Sequence, residues 1–91
     1  MGLDIAVVRE TILPRPNGVV YRFAWHLAEQ AGQCYGGEGN SFYWYFRDYM
    51  EKQAKDFAER KQLSSVQLDQ IIAWIRSLPW DGDYIILHFN W

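Results

Sequence analysis

The sequence predicts a small α+β fold, in which strands from both chain ends form a small sheet and two or three helices pack on it. Short segments near the two ends are rich in apolar and β-branched residues, whereas the middle of the chain carries apolar residues at helical spacing. Alternation with a period of two indicates strands, and spacing of three to four residues indicates helices. The length of 91 residues predicts a single domain over residues 1–91, because so short a chain encloses only one modest core.

The first element expected is a strand over residues 3–9. The segment LDIAVVR places Leu3, Ile5 and Val7 on one side and is rich in β-branched residues, which favours a strand. The segment TILPRPNG that follows contains two prolines and an Asn-Gly pair. Such residues interrupt regular structure, so a loop is expected here.

Residues 19–31 fit two interpretations. Read with helical spacing, Val20, Phe23 and Leu27 belong to one apolar stripe, and Gly32 follows at the place of a C-cap. Read with alternation, residues 18–26 form a strand that pairs with residues 4–12 as a hairpin, which leaves only two helices. The helix is the preferred interpretation.

A longer helix is predicted from Asn40 or Ser41, either of which can cap it, to about Lys61. The side of this helix that is expected to face solvent carries charges of both signs. Its expected buried side consists of Phe42, Phe46, Tyr49, Met50, Phe57 and Ala58.

The clearest local signal is SSVQ at residues 64–67, where Ser64 and Gln67 have the spacing of a capping box. A third helix is therefore expected to follow and to end before Pro79. Asp81-Gly82 predicts a turn, and the final DYIILHFNW predicts a strand with Ile85 and Leu87 on one face and Ile86 on the other.

Composition narrows the classes of function. A net charge of −2 and a pI near 5.5 give no electrostatic attraction for a phosphate backbone, so no nucleic-acid partner is expected. One cysteine allows no intrachain disulfide, and a reducing, cytoplasmic setting is expected. The chain has no apolar run near 18 residues, so no membrane association is expected.

The aromatic content of 18% is the most unusual feature, and it suggests a contact surface. On a helix, the five rings of FYWYF span more than one turn and cannot all face one core. If Phe42 and Phe46 face inward, the three rings between them must face solvent or a partner. The predicted partner-binding residues are therefore Tyr35, Tyr43, Trp44 and Tyr45, because Trp and Tyr are enriched at interface hot spots. The sequence therefore predicts a small non-enzymatic protein-binding module. Its expected partner is another protein or a second copy of the chain.

The alternative function is a small cysteine-dependent enzyme. Cys34 would be the nucleophile, His26 or His88 the base, and Gln33 an oxyanion donor. No cationic residue adjoins Cys34 in sequence to lower its pKa. The chain is also too short for a second lobe, so an ordinary thiol is the preferred interpretation and no catalytic residue is assigned.

No cofactor or metal is expected. The glycine-rich YGGEGN lacks the Gly-Lys-Ser/Thr that follows a phosphate-binding loop, and Glu38 within it would repel an anion. The aspartates of D-G-D at residues 81–83 lack the further oxygen ligands of a calcium loop.

The opening MGLD, the central aromatic segment, the capped helix and the acidic-aromatic tail resemble several small uncharacterised proteins encoded by bacteriophages and mobile elements. The resemblance implies a bacterial or phage setting, and it carries no mechanism. The binding module expected above is an inhibitor or accessory protein of a phage or mobile element.

Overall fold

The structure is a computed structural model that describes residues 12–35 and 42–89, with side chains from 12–30 and 43–89. Its elements in chain order are helix α1 (Gly18–Tyr35), strand β1 (Phe42–Phe46), helix α2 (Arg47–Arg60), helix α3 (Ser65–Ser77) and strand β2 (Tyr84–His88). The predicted α+β class, with a small sheet and three helices, is confirmed. The strand predicted over residues 3–9 lies outside the described residues.

Helix α1 confirms the helical interpretation of residues 19–31, and the hairpin alternative is wrong. Phe23 and Leu27 are fully buried, as the apolar stripe predicted. The helix begins at Gly18, whose φ of 60° lies in the left-handed region that glycine adopts at little cost.

The segment FYWYF forms strand β1 instead of the first turns of a helix, so the predicted helix start at Asn40 or Ser41 is wrong. The helix begins only at Arg47, directly after Phe46, which is extended at φ −89° and ψ 147°. Aromatic side chains favour strands, and the helical spacing of Phe46, Tyr49 and Met50 spans the junction of two elements. As a result Phe46 and Tyr49, predicted to be buried, are 57% and 50% exposed.

The two strands pair antiparallel, with Trp44 opposite Ile86 and Tyr45 opposite Ile85. Because successive side chains of a strand point to opposite faces, Tyr43 and Tyr45 lie on one face of the sheet and Trp44 and Phe46 on the other. The face of Tyr45 and Ile85 packs on the helices, since both of these side chains are buried in the core.

Helix α3 begins with the predicted capping box. The backbone N–H of Gln67 donates to Ser64 Oγ at 3.2 Å, and the backbone N–H of Ser64 donates to Gln67 Oε1 at 2.9 Å. The helix ends before Pro79, and the Asp81-Gly82 turn leads into β2, as predicted.

The core lies between the helices and the inner face of the sheet. Helix α2 contacts α3, α1 contacts α3, and β1 contacts both β2 and α2. The fully buried large side chains of the described residues are Phe23, Leu27, Met50, Ile71 and Ile75. None of the described helices has the length and apolar character needed to cross a bilayer.

Candidate functional site

The outer sheet face, defined by Trp44, Phe46, Tyr84 and Ile86, is the leading candidate for a contact surface. Trp44 pairs with Ile86, and Phe46 pairs with Tyr84. Directly opposed residues of antiparallel strands project on the same side of the sheet, so the four side chains form one contiguous apolar surface. This surface lies on the side of the sheet opposite the buried Tyr45 and Ile85.

The outer sheet face is accessible to solvent. Trp44 is 63% exposed, Phe46 57% and Ile86 41%, while Tyr84 is half-buried. The Trp44 and Tyr84 rings stack with centroids 4.9 Å apart and an interplanar angle of 26°. Scattered exposed apolar residues are normal, but an adjoining group of them is typical of an interaction site.

The alternation of β1 distributes the predicted site residues between the two faces of the sheet. Trp44 is exposed, as predicted, but Tyr45 is only 8% exposed and belongs to the core. Tyr43 is half-buried on the same inner side, with its ring 6.0 Å from that of Phe89. Tyr35 is the last residue of α1, and its side chain lies outside the described residues.

Three members of the outer sheet face were missed by the sequence analysis. Phe46 was assigned to the buried side of a helix, and Tyr84 and Ile86 were assigned only to a strand. A period-two reading of both FYWYF and YIILH would have found them, because it places alternate residues of each segment on one face.

Acidic side chains border one end of the outer sheet face, where Phe46 pairs with Tyr84. Asp81 and Asp83 flank the turn that precedes β2, and Asp48 lies in the first turn of α2; all three are exposed. The Tyr84 hydroxyl donates to Asp81 Oδ2 at 2.9 Å. This hydrogen bond and the negative charge of Asp81 raise the pKa of Tyr84.

Arg47 fixes this end of the sheet to helix α2. Its backbone N–H donates to the carbonyl oxygen of Asp83 at 2.8 Å, and its Nη2 donates to the carbonyl oxygen of Gly82 at 3.0 Å. The guanidinium also lies 5.4 Å from the centroid of the Trp80 ring, within cation–π range. The Arg47 guanidinium is therefore engaged with a carbonyl and a ring, and among the described residues it forms no ion pair with Asp48, Asp81 or Asp83.

The described contacts do not bring together the residues proposed for a cysteine-dependent enzyme. His26 lies on α1, and its Nε2 accepts a hydrogen bond from Arg60 Nη2 at 3.3 Å. Burial, followed by the charge of Arg60, lowers the pKa of His26. Cys34 follows eight residues later on the same helix, so the two backbones are about 12 Å apart along its axis, a spacing that does not favour a thiol–imidazole pair. His88 ends β2, and the side chain of Cys34 lies outside the described residues.

Neither a metal site among the described residues nor a match to a known protein indicates a function. Among residues 12–30 and 43–89, no group of three or more His, Cys, Asp or Glu side chains is arranged to hold a metal ion. No protein-family model, curated protein or solved structure matches the chain significantly.

Proposed function

We propose that the protein is a non-enzymatic protein-binding module whose contact surface is the outer sheet face. The observation that carries the proposal is the adjacency of Trp44, Phe46 and Ile86 on one exposed side of the sheet. The partner we infer is a protein segment that presents apolar side chains together with lysine or arginine.

The apolar part of this proposal rests on the energetics of exposed rings. Aromatic side chains bury a large area on binding and lose little rotamer entropy. Trp44 and Phe46 expose more than half of their surface, so most of their contact area is still available to a partner. The stack with Tyr84 holds the Trp44 ring in one orientation, which lowers the entropy lost on binding.

The basic part of the proposal rests on charge. Asp48, Asp81 and Asp83 border the face, and Arg47 is already bound to the Gly82 carbonyl. A partner cation placed there would meet carboxylates that form no ion pair among the described residues. A lysine or arginine lying over the exposed ring of Trp44 would also gain a cation–π interaction.

The proposal includes a cytoplasmic setting and a role as an inhibitor or accessory protein of a phage or mobile element. The cytoplasmic setting is supported by the single cysteine of the chain. The phage or mobile-element origin is supported by the resemblance in the order of its segments. No described contact favours the cysteine-dependent enzyme.

The test is a selection of random peptides on the immobilised protein, followed by titration of the best binder. We expect the selected peptides to combine basic and large apolar residues. Trp44→Ala should weaken the binder by about 2 kcal/mol or more, as hot-spot truncations do. Trp25→Ala, which removes an exposed tryptophan on α1, is the matched control and should leave the affinity unchanged.

Stability measurements must accompany this titration. Trp44→Ala should preserve a cooperative urea unfolding transition, whereas Tyr45→Ala, at the neighbouring buried position, should lose about 3 to 5 kcal/mol, as other large core truncations do. Unchanged affinity of folded Trp44→Ala would refute the contact surface. A concentration-dependent dimer in sedimentation that Trp44→Ala abolishes would show instead that the face binds a second copy of the chain.

A further inference from the structure

A recess that is separate from the outer sheet face lies between α1 and the C-terminal end of α2. We call it the helix groove; it is open to solvent and has a volume of about 320 Å³. Pockets for small ligands usually measure about 300 to 1,000 Å³. The helix groove therefore has room for one small molecule, and its shallow form fits a flat one.

Aromatic rings form the walls of the helix groove. Tyr21 and Trp25, one turn apart on α1, meet edge to face with ring centroids 6.3 Å apart. His26 and Phe57 lie on the side toward α2, with ring centroids 5.0 Å apart. A planar aromatic ligand could contact several of these rings at stacked or edge-on distances, which are favourable for aromatic pairs.

The charges of the helix groove are predominantly positive although the whole chain has a net charge of −2. Arg22 and Lys61 line it together with one carboxylate, Glu29. Arg60, which is hydrogen-bonded to His26, lines a neighbouring recess together with the carboxylates of Asp56 and Glu59, so the excess of cations in the groove comes from Arg22 and Lys61. A local excess of cations on an acidic protein attracts an anion to this recess.

The hydrogen bond from Arg60 also defines the state of His26. A guanidinium can only donate, so this hydrogen bond requires His26 Nε2 to be the acceptor, with the ring proton of a neutral imidazole on Nδ1. In this state the ring adds no positive charge to the groove, and the attraction for an anion comes from Arg22 and Lys61.

From these rings and charges we infer that the helix groove binds a small planar aromatic anion, such as an aryl carboxylate. The ring would lie against Tyr21 and Trp25, and the carboxylate would be directed toward Arg22 and Lys61. This site is independent of the proposed function, because it shares no residue with the outer sheet face.

The experiment compares three probes that share one ring and differ in charge: indole-3-acetate, indole and tryptamine. Each is titrated into the ¹⁵N-labelled protein, and the shifts of the backbone amides are followed. We expect indole-3-acetate to perturb residues 21–29 and 57–61 and to bind at least about tenfold more tightly than tryptamine. Lys61→Gln should weaken indole-3-acetate about threefold, the effect of one exposed ion pair, and should leave indole unchanged.

Trp25→Ala tests the ring contact and should weaken the binding of all three probes, while Trp44→Ala should weaken the binding of none. The dispersion of the amide spectrum verifies that each variant is folded. Equal affinity for the three probes, shifts confined to β1 and β2, or no saturable shift for indole-3-acetate would each overturn the inference.

Discussion

Among single residues, Ser64 has the most clearly defined role in stability. Its side chain accepts a hydrogen bond from the backbone N–H of Gln67, and the side chain of Gln67 accepts one from the backbone N–H of Ser64. Two backbone N–H groups at the start of α3 are therefore satisfied. Leu63 and Leu68, on either side, are half-buried against the core, as expected for a hydrophobic staple. Local hydrogen bonds of this kind depend on a few adjacent residues, and they could therefore be predicted from the sequence.

Replacement of Ser64 by alanine should lower the free energy of unfolding by about 1 kcal/mol, the usual cost of a lost N-cap. Urea denaturation followed by circular dichroism measures this change. Ser65→Ala, at the exposed first position of α3, is the control and should alter stability by no more than a few tenths of a kcal/mol. Equal effects of the two substitutions would mean that the capping box contributes nothing.

His26 makes stability depend on pH. Burial and the charge of Arg60, with a smaller effect of Lys61, lower its pKa below 6.5, although Glu29 acts in the opposite direction. The unfolded chain then binds a proton at a higher pH than the folded chain. The contribution of His26 is therefore fully favourable above pH 6.5 and is lost as the pH falls from 6.5 through its lower folded pKa.

The comparison that isolates this effect is the change in unfolding free energy between pH 7.5 and pH 5.5. The wild-type protein should lose more stability over this interval than His26→Gln, which has no proton to bind at that position. If His26→Gln and the wild type show the same pH dependence, the assigned state of His26 is wrong.

At the scale of elements, the junction between β1 and α2 explains the main error of the sequence analysis. Phe46 is the last residue of the strand and also the N-cap of the helix, with no side-chain cap and no intervening turn residue. Without glycine, proline or asparagine to separate them, Phe46 and Met50 resemble one helical stripe. The strand forms instead because it pairs with β2, where Tyr45 lies opposite Ile85. The spacing of residues within one segment gives no information about such long-range pairing.

The C-terminal end of α2 shows a second departure from local preference. Gln62 has a φ of 54°, in the left-handed region that only glycine adopts easily. The backbone N–H of Leu63 donates to the Ala58 carbonyl oxygen at 2.9 Å, and that of Gln62 donates to the Glu59 carbonyl oxygen at 3.2 Å. These two bonds form a Schellman motif, in which glycine is the preferred residue at the position of Gln62.

Gln62→Gly should therefore stabilise the protein by about 0.5 to 1 kcal/mol, since relief of left-handed strain exceeds the greater freedom of glycine in the unfolded chain. Gln70→Gly makes the same chemical change at an exposed position inside α3 and should destabilise by about 1 kcal/mol. Thermal unfolding of both variants measures the two effects. Changes of the same sign would contradict the assigned backbone conformation at Gln62.

For the whole molecule, the sequence was sufficient for the fold class and for the elements with strong local signals. These are α1 with its stripe around Phe23, α3 with its capping box, and the turn that leads into β2. The candidate site was predicted only in part. Trp44 is exposed as expected, but Tyr45 lies in the core, because a helical reading of FYWYF cannot distinguish the two faces of a strand.

The pairing of β1 with β2 across the whole of α2 and α3 has a consequence for the order of folding. The ends of this long connection can meet only after its entropy of closure has been overcome, whereas α3 can start from its own capping box. We therefore expect the helices to associate early and the sheet to close after the rate-limiting step. Contacts made after that step change the unfolding rate and leave the folding rate nearly constant. A partner bound to the outer sheet face would then extend the lifetime of the folded protein without helping it to form.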